Sequence, residues 1–188
     1  MKDHNMRLVL ASKKNALIYA HWVTACGDRP MPRRADITPE GIKRELPYIY
    51  IAEVMKDDLG TWFRFRLMGT KLVENLKQDG TGKMLLDLQI GGWEVEWRKN
   101  LVHVINMKMP VVDESTITVG SGLKLDIEHL AMPLSEDGEN VSRIFGAIDF
   151  YGLDEQKLSA SVNALDWQSI SKIELEKRII ISNLRIQL

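Results

Sequence analysis

Hydrophobic residues recur at helical spacing in two long stretches of the chain. In residues 12–26, Ile18, Trp22 and Ala25 lie at positions i, i+4 and i+7, which predicts an amphipathic helix. A stronger stripe lies between residues 92 and 110, and it predicts a long helix with a wide apolar face. The apolar members of this stripe are Trp93, Trp97, Leu101, Val104 and Ile105.

Five other stretches are rich in β-branched and aromatic residues and are bounded by turn-forming residues, which predicts strands. They are residues 48–55, 61–68, 111–119, 124–134 and 141–151. Short connections within the first pair and among the last three predict antiparallel hairpins. Between the two groups, Leu72, Val73 and Leu76 indicate a short helix, and Thr38 with Pro39 starts another before the first strand.

The second predicted strand has two chemically different faces. Strict alternation places Phe63, Phe65 and Leu67 on one face, and it places Trp62, Arg64, Arg66 and Met68 on the other. Two guanidinium groups on one face could donate to an anionic ligand. The alternative interpretation is a structural ion pair, for instance between Arg66 and Asp36 or Asp79.

The order of the elements predicts the fold class. A helix, two strands, short helices, a long helix and three strands together predict an α+β fold, a five-stranded antiparallel sheet covered by helices. We expect residues 1–27 to form an N-terminal helical extension, residues 28–152 the core domain and residues 153–188 a C-terminal extension. Beyond residue 152 the pattern does not decide between helix and strand.

Composition limits the partners that we expect. The 188 residues carry 25 Lys and Arg against 26 Asp and Glu, so the net charge of -1 predicts no nucleic-acid surface. Cys26 is the single cysteine, which excludes an internal disulfide and favours a reducing cytoplasm. No apolar run reaches the ~18 residues of a membrane span. We therefore expect a cytoplasmic protein whose partners are proteins or small molecules.

A series of short motifs, spread over roughly residues 14–151, resembles a bacterial PAS-like family long catalogued as a domain of unknown function. The segments that carry the resemblance are Pro32-Arg33, Leu46-Pro47, residues 63–70, residues 79–82, Pro110 and residues 132–138. Within and beside them, the residues that we take as structural markers are Trp22, Asp36, Gly69, Thr70, Asp79, Gly82 and Pro133.

The resemblance implies a sensory or signalling module without a catalytic residue. It also implies that the sheet and the long helix enclose a pocket, and that helices outside the core mediate homodimer or partner contacts. The ligand-binding candidates are Arg64, Arg66, Met68, Trp93, Trp97, Leu101, Val104, Ile105 and Met132. The alternative for the apolar members is that they simply fill the core, since stripes at helical spacing usually pack.

We expect no cofactor and no metal. Haem would need an axial ligand, and the candidate is His103 on the long helix. At 100° per residue, His103 lies about 130° from the centre of the apolar stripe, which directs it toward solvent. Flavin photochemistry of the light-sensing kind would need a cysteine among the short helices, whereas Cys26 lies in the first helix.

Catalysis is the remaining function class. Asp126, Glu128 and His129 are close on one predicted strand, but alternation places His129 on the face opposite the two carboxylates. We interpret them as an exposed strand face, and the chain has no phosphate loop, HExxH motif or nucleophile elbow. The alternative function is an enzyme or carrier for a small apolar acid in a curved-sheet pocket. A buried carboxylate or histidine facing a cavity would support that alternative.

Overall fold

The structure is a computed structural model that describes residues 8–120 and 122–151. Its helices are α1 (Lys13–Cys26), α2 (Thr70–Leu76) and α3 (Trp93–Met107), and its strands are β1 (Ile49–Asp57), β2 (Gly60–Met68), β3 (Val111–Val119), β4 (Leu123–Leu134) and β5 (Arg143–Tyr151). The strands form one antiparallel sheet in the order β2-β1-β5-β4-β3. The predicted α+β class and five-stranded sheet are confirmed.

The connections are short 3₁₀ turns at Arg34–Asp36, Glu40–Ile42, Leu46–Tyr48 and Leu85–Asp87. Pro47 lies within the third of these turns. The predicted C-terminal extension, residues 153–188, lies outside the described residues. In the part of the chain that the structure describes, no helix has the length and hydrophobicity to cross a bilayer.

The inner face of the sheet packs against α2 and α3. Trp97, Leu101 and Val104 are fully buried here because their spacing brings them to one side of α3. They meet side chains from alternate positions of all five strands, including Phe63, Phe65, Ile117, Ile127 and Ile148. This inner core is the larger of the two hydrophobic clusters.

The outer face of the sheet is covered by α1. The outer cluster consists of Leu10, Ala16, Ile18, Tyr19, Trp22, Cys26, Ile37, Ile42, Ile49, Ile51, Leu130, Met132, Leu134, Phe145 and Ala147. The Trp22 indole donates to the Pro133 carbonyl at 2.9 Å, and Gly27 ends the helix with a positive φ of 53°. The centre of the sheet, formed by β1, β5 and the second half of β4, is thus buried on both faces, and α1 shares a cluster with it.

The alternation predicted for β2 is wrong beyond Phe65. Ile51 pairs with Leu67 while Ala52 pairs with Phe65, so Arg66 is an extra residue in a β-bulge. Because the bulge shifts the faces by one position, Leu67 lies outward and Met68 enters the inner core. A strict two-residue period cannot show this.

Glycine is required at position 146 of β5 because the Tyr50 ring packs directly against its backbone. A Cβ at this position would lie 2.0 Å from Cζ of the Tyr50 ring, which is fully buried. We predict that Gly146→Ala destabilises the fold by about 3 kcal/mol, the upper end of the overpacking range, as measured by urea unfolding.

The double variant with Tyr50→Ala provides the control. If the clash is the cause, the two losses of stability are less than additive, because removing the ring makes room for the methyl group. Additive losses would show that Gly146 is needed for another reason.

Candidate binding site between the sheet and the long helix

Five aromatic rings meet between α3 and the inner face of the sheet. We call them the ring cluster: Tyr50 of β1, Phe65 of β2, Trp93 and Trp97 of α3, and His129 of β4. Neighbouring ring centroids lie between 4.7 and 5.8 Å apart, and edge-on arrangements predominate. The helical stripe and the strand alternation bring these side chains together from four elements.

Two hydrogen bonds join three of these rings. The Trp97 indole lies 3.2 Å from the Tyr50 hydroxyl, to which it donates, and the same hydroxyl lies 2.7 Å from His129 Nε2. Among the described residues, His129 Nδ1 and Trp93 Nε1 have no hydrogen-bond partner although both atoms are buried. Such groups are uncommon in protein interiors, which makes this position the candidate site.

The site is electrically neutral. Burial lowers the pKa of His129 to about 3, because the charged imidazolium would lose its hydration. Burial also raises the pKa of Tyr50 well above its usual range, with the Trp97 hydrogen bond acting in the opposite direction. The interior therefore holds uncharged donors and acceptors near neutral pH.

Glu128, next to His129 on β4, is buried on the outer face. Its carboxylate accepts from the Ala11 amide at 2.5 Å, the Ser12 amide at 3.2 Å and the Asn15 side chain at 2.9 Å. Burial raises the pKa of Glu128, and these hydrogen bonds act in the opposite direction. The prediction of an exposed strand face is confirmed for Asp126 and wrong for Glu128 and His129, which are each 1% exposed.

Asp149 of β5 completes the attachment of α1. It accepts from the Ser12 hydroxyl at 2.7 Å and from Lys14 Nζ at 2.9 Å. We call these contacts of Glu128 and Asp149 with the start of α1 the α1 latch. Glu128 accepts from the backbone amides of Ala11 and of the N-cap residue Ser12, which directly precede the helix, and both carboxylates lie at the positive end of α1.

The sequence contained one signal for this arrangement. Residues 130–134 are apolar on both alternating faces directly after the Glu128-His129 pair, which is typical of a strand covered on both sides. A polar pair at the start of such a run implies partners on each face. Sequence alone does not supply those partners, because they come from β1 and from residues 11–15.

The structure brings together some of the predicted site residues. Trp93, Trp97, Leu101 and Val104 line the inner core, and Ile105 packs partly buried against it. Met68 lies in the inner core, whereas Met132 lies in the outer cluster beneath α1. His103 of α3 is half-buried and lies outside both clusters.

The two arginines lie apart from the ring cluster. Arg64 makes a structural ion pair with Glu53 at 2.8 Å. The ion pair suggested for Arg66, with Asp36 or Asp79, does not occur among the described residues. Arg66 is exposed in the bulge. The Asp36 carboxylate accepts from Arg29, and Asp79 accepts from the Thr81 amide.

The glycine and threonine markers occupy tight connections. Gly69 has no room for a side chain, because a Cβ would lie 2.3 Å from the Pro47 carbonyl oxygen. Thr70 then begins α2, and Gly82 has a φ of 82° in the turn that follows.

An open groove of about 620 Å³ lies beside the start of α3. It is lined by the end of α2, the residues before α3 and the turn between β3 and β4, including Leu76, Lys77, Gln78, Gln89, Gly91 and Gly92. Gly92 and Glu94, the neighbours of Trp93 along the chain, line the groove, whereas the Trp93 side chain does not.

A model of the family described as "PAS domain" matches residues 10–149. No curated protein matches the chain in sequence.

Three solved structures illustrate the similarity of fold. A LOV protein of Rhodobacter sphaeroides is 10% identical with a TM-score of 0.46, and the alignment covers 59% of this chain and 62% of that one. A light-oxygen-voltage domain studied with a flavin analogue is 9% identical with a TM-score of 0.47, over 61% and 84%. A PAS domain from Colwellia psychrerythraea is 10% identical with a TM-score of 0.41, over 57% and 92%. These are likenesses of fold alone.

A flavin does not fit the ring cluster as it stands. A planar three-ring cofactor between α3 and the sheet would have to displace side chains whose centroids are already within 5.8 Å of one another. Cys26 is buried in the outer cluster, on the other side of the sheet. The expectation that the chain carries no cofactor stays a prediction.

The shifted pKa of His129 predicts a pH-dependent stability. Between pH 3 and 6.5 the unfolded chain binds one more proton at this histidine than the folded chain, so the free energy of unfolding falls as the pH falls. The free energy of unfolding, measured with urea at several pH values between 6.5 and 5, should fall with pH more steeply in the wild type than in His129→Gln. The difference should be up to about 1.4 kcal/mol per pH unit.

The resonance of His129 Cε1–H gives a direct check by nuclear magnetic resonance. It should stay unchanged from pH 7 to 5 in the folded protein. Titration near pH 6.5, or equal slopes in both proteins, would show that His129 is accessible to solvent.

Proposed function

We propose, from the premise that this chain belongs to the PAS domain family, that it senses a small ligand in its interior and passes the signal to a protein partner through α1. PAS domains are sensory and signalling modules. The observation that supports this particular mechanism is the pair of neighbours on β4, whose side chains bind different elements on the two faces of the sheet.

The physical connection is short. His129 holds the Tyr50 hydroxyl on the inner face, and Glu128 holds the first turn of α1 on the outer face. One peptide unit separates them, so a shift of His129 toward a ligand also moves the carboxylate that binds α1. In this proposal α1 has two states, attached to Glu128 or released from it. A ligand can change their populations only by binding the two states unequally.

Release of α1 would expose an apolar surface. Ile18 and Trp22 of α1 and Phe145 of β5 are buried between the helix and the sheet, and freeing them would create a surface suited to a protein partner or a second copy of the chain. We propose a homodimer as the working assembly and the cytoplasm as its location, because the lone Cys26 suits a reducing compartment.

We propose that the domain has no catalytic activity of its own. Within residues 8–120 and 122–151, no group of three His, Cys, Asp or Glu side chains could hold a metal ion. The buried His129 partly meets the expectation for the alternative, an enzyme or carrier for a small apolar acid, but binding an acid also needs a cation, and burial keeps His129 uncharged near neutral pH. Arg64 and Arg66 lie away from the ring cluster, so the arrangement favours binding of an uncharged ligand.

Native mass spectrometry of the freshly purified full chain tests ligand and assembly together. We expect a dimer that carries a small additional mass, and we expect Trp97→Ala to lose that mass by breaking the ring cluster. Trp62→Ala, an exposed-edge variant, is the matched control and should keep it. A strict monomer without added mass would count against both parts of the proposal.

Hydrogen exchange tests the connection through β4. Tyr50→Phe removes the partner of His129 and should speed exchange of the α1 amides at least tenfold beyond the change expected from its loss of global stability. Phe63→Leu destabilises the same inner core on β2 and is the control.

If α1 exchanges equally fast in both variants after correction for their urea stabilities, stability alone explains the effect. That result would exclude a specific connection between the ring cluster and the α1 latch.

A further inference from the structure

The two edges of the sheet differ in how they are covered. The edge of β2 is paired by the segment that follows α2, because the Phe65 amide donates to the Lys83 carbonyl at 3.0 Å and the Gly82 amide donates to the Phe65 carbonyl at 2.8 Å. The opposite edge is β3. In the part of the chain that the structure describes, no backbone group outside β4 bonds to residues 112–117 of this strand.

β3 lacks the features that usually keep an edge strand from pairing. Over Val111–Val119 it pairs with β4 without a register shift, and it contains neither proline nor lysine. The backbone of residue 91 covers only the end of the strand, since a Cβ there would lie 2.8 Å from the Thr118 carbonyl oxygen. The rest of the edge presents a row of unpaired N–H and C=O groups that can bind an additional strand.

The open edge carries only acidic charges. Asp113 and Glu114 are the charged residues of β3, and Asp126 is exposed opposite Thr116 on the neighbouring strand. None of these three carboxylates forms an ion pair within the described residues. A segment that carries a cation and no acid would therefore be complementary to this edge.

The last residues of the chain have this chemistry. Residues 177–188 contain Lys177, Arg178 and Arg185 and no Asp or Glu. The pattern of the chain beyond residue 152 as a whole does not decide between helix and strand, but in residues 183–188 every second residue is Leu or Ile. This two-residue period is that of a strand with one apolar side.

The chain is long enough to bring these residues to β3. β5 ends at Tyr151, which pairs with Asp126, and Asp126 in turn pairs with Thr116 of β3. The next position beyond β3 in this row is three strand spacings from Tyr151, about 14 Å. Residues 152–181 can span that distance several times over, because an extended chain advances about 3.3 Å per residue.

We propose that residues 182–188 bind along the open edge of β3 as a sixth strand within the same chain. Arg185 then lies beside Glu114, and the apolar residues of the segment share the opposite side. The added strand supplies partners for the backbone groups of the edge and prevents a second copy of the chain from pairing there. Neither the ring cluster nor the α1 latch includes a residue of β3, so this contact is separate from the proposed sensory mechanism.

Hydrogen exchange of the full chain, followed residue by residue by nuclear magnetic resonance, tests the contact. Neighbouring amides of a strand point in opposite directions, so a double variant with Ile186→Pro and Gln187→Pro removes the donor that faces β3 in either phase. We expect it to speed exchange at least tenfold for those amides of residues 112–117 that point away from β4. The amides that donate to β4 are the internal control and should keep their wild-type rates.

Charge substitutions test the position of Arg185. Arg185→Glu places a carboxylate beside Glu114 and should speed exchange of the same outward amides about threefold or more. Lys172→Glu makes the same change of net charge outside the segment and should leave them unchanged. Adding Glu114→Arg to Arg185→Glu should restore the wild-type rates.

Three results would overturn the proposal. The outward amides could exchange as fast in the wild type as in the double proline variant, or Lys172→Glu could act as strongly as Arg185→Glu. Protection that disappears on dilution would mean that a second copy occupies the edge, which rejects a contact within one chain. The exchange of α1 in Tyr50→Phe judges the proposed function independently of all three.

Discussion

The Tyr50 hydroxyl is the interaction on which the arrangement of the interior depends. It accepts from Trp97 of α3 and contacts His129 of β4, so one oxygen joins the long helix, β1 and β4. The ring itself lies over Gly146 of β5, where any side chain would collide with it. The position of Tyr50 therefore sets the separation between α3 and the three central strands, and the remaining rings pack around it.

Burial on both faces gives β4 its unusual character. A sheet with one solvated face could carry Glu128 on the wet side at no cost, but α1 covers that side here. The carboxylate is accommodated because the residues directly before α1, Ala11 and the N-cap Ser12, offer it backbone amide donors. The same strand places His129 in the opposite layer, where an imidazole remains neutral because hydration is unavailable. Because both faces of β4 are covered here, Glu128 and His129 cannot be hydrated and each makes specific hydrogen bonds instead.

The sequence predicted the elements and their order well, because periodicity reports local structure directly. The α3 stripe and the five strands were visible in spacing alone, and Trp97, Leu101 and Val104 face the core as the stripe predicted. The bulge at Arg66 was not predictable, since it depends on pairing with β1. The burial of Glu128 and His129 was missed for a related reason: it depends on α1 docking and on Tyr50, which lies 79 residues from His129 along the chain.

The polar pair on β4 also restricts how the sheet can assemble. A slip of β4 by one residue would bring Glu128 into the ring cluster and His129 beneath α1, because neighbouring side chains occupy opposite faces. An acid among aromatic rings would lose its hydration without gaining a partner. An apolar pair at these positions would tolerate that slip far better. The residues that connect the interior to α1 therefore also disfavour the competing register, so the register of β4 and the attachment of α1 are specified by the same two side chains.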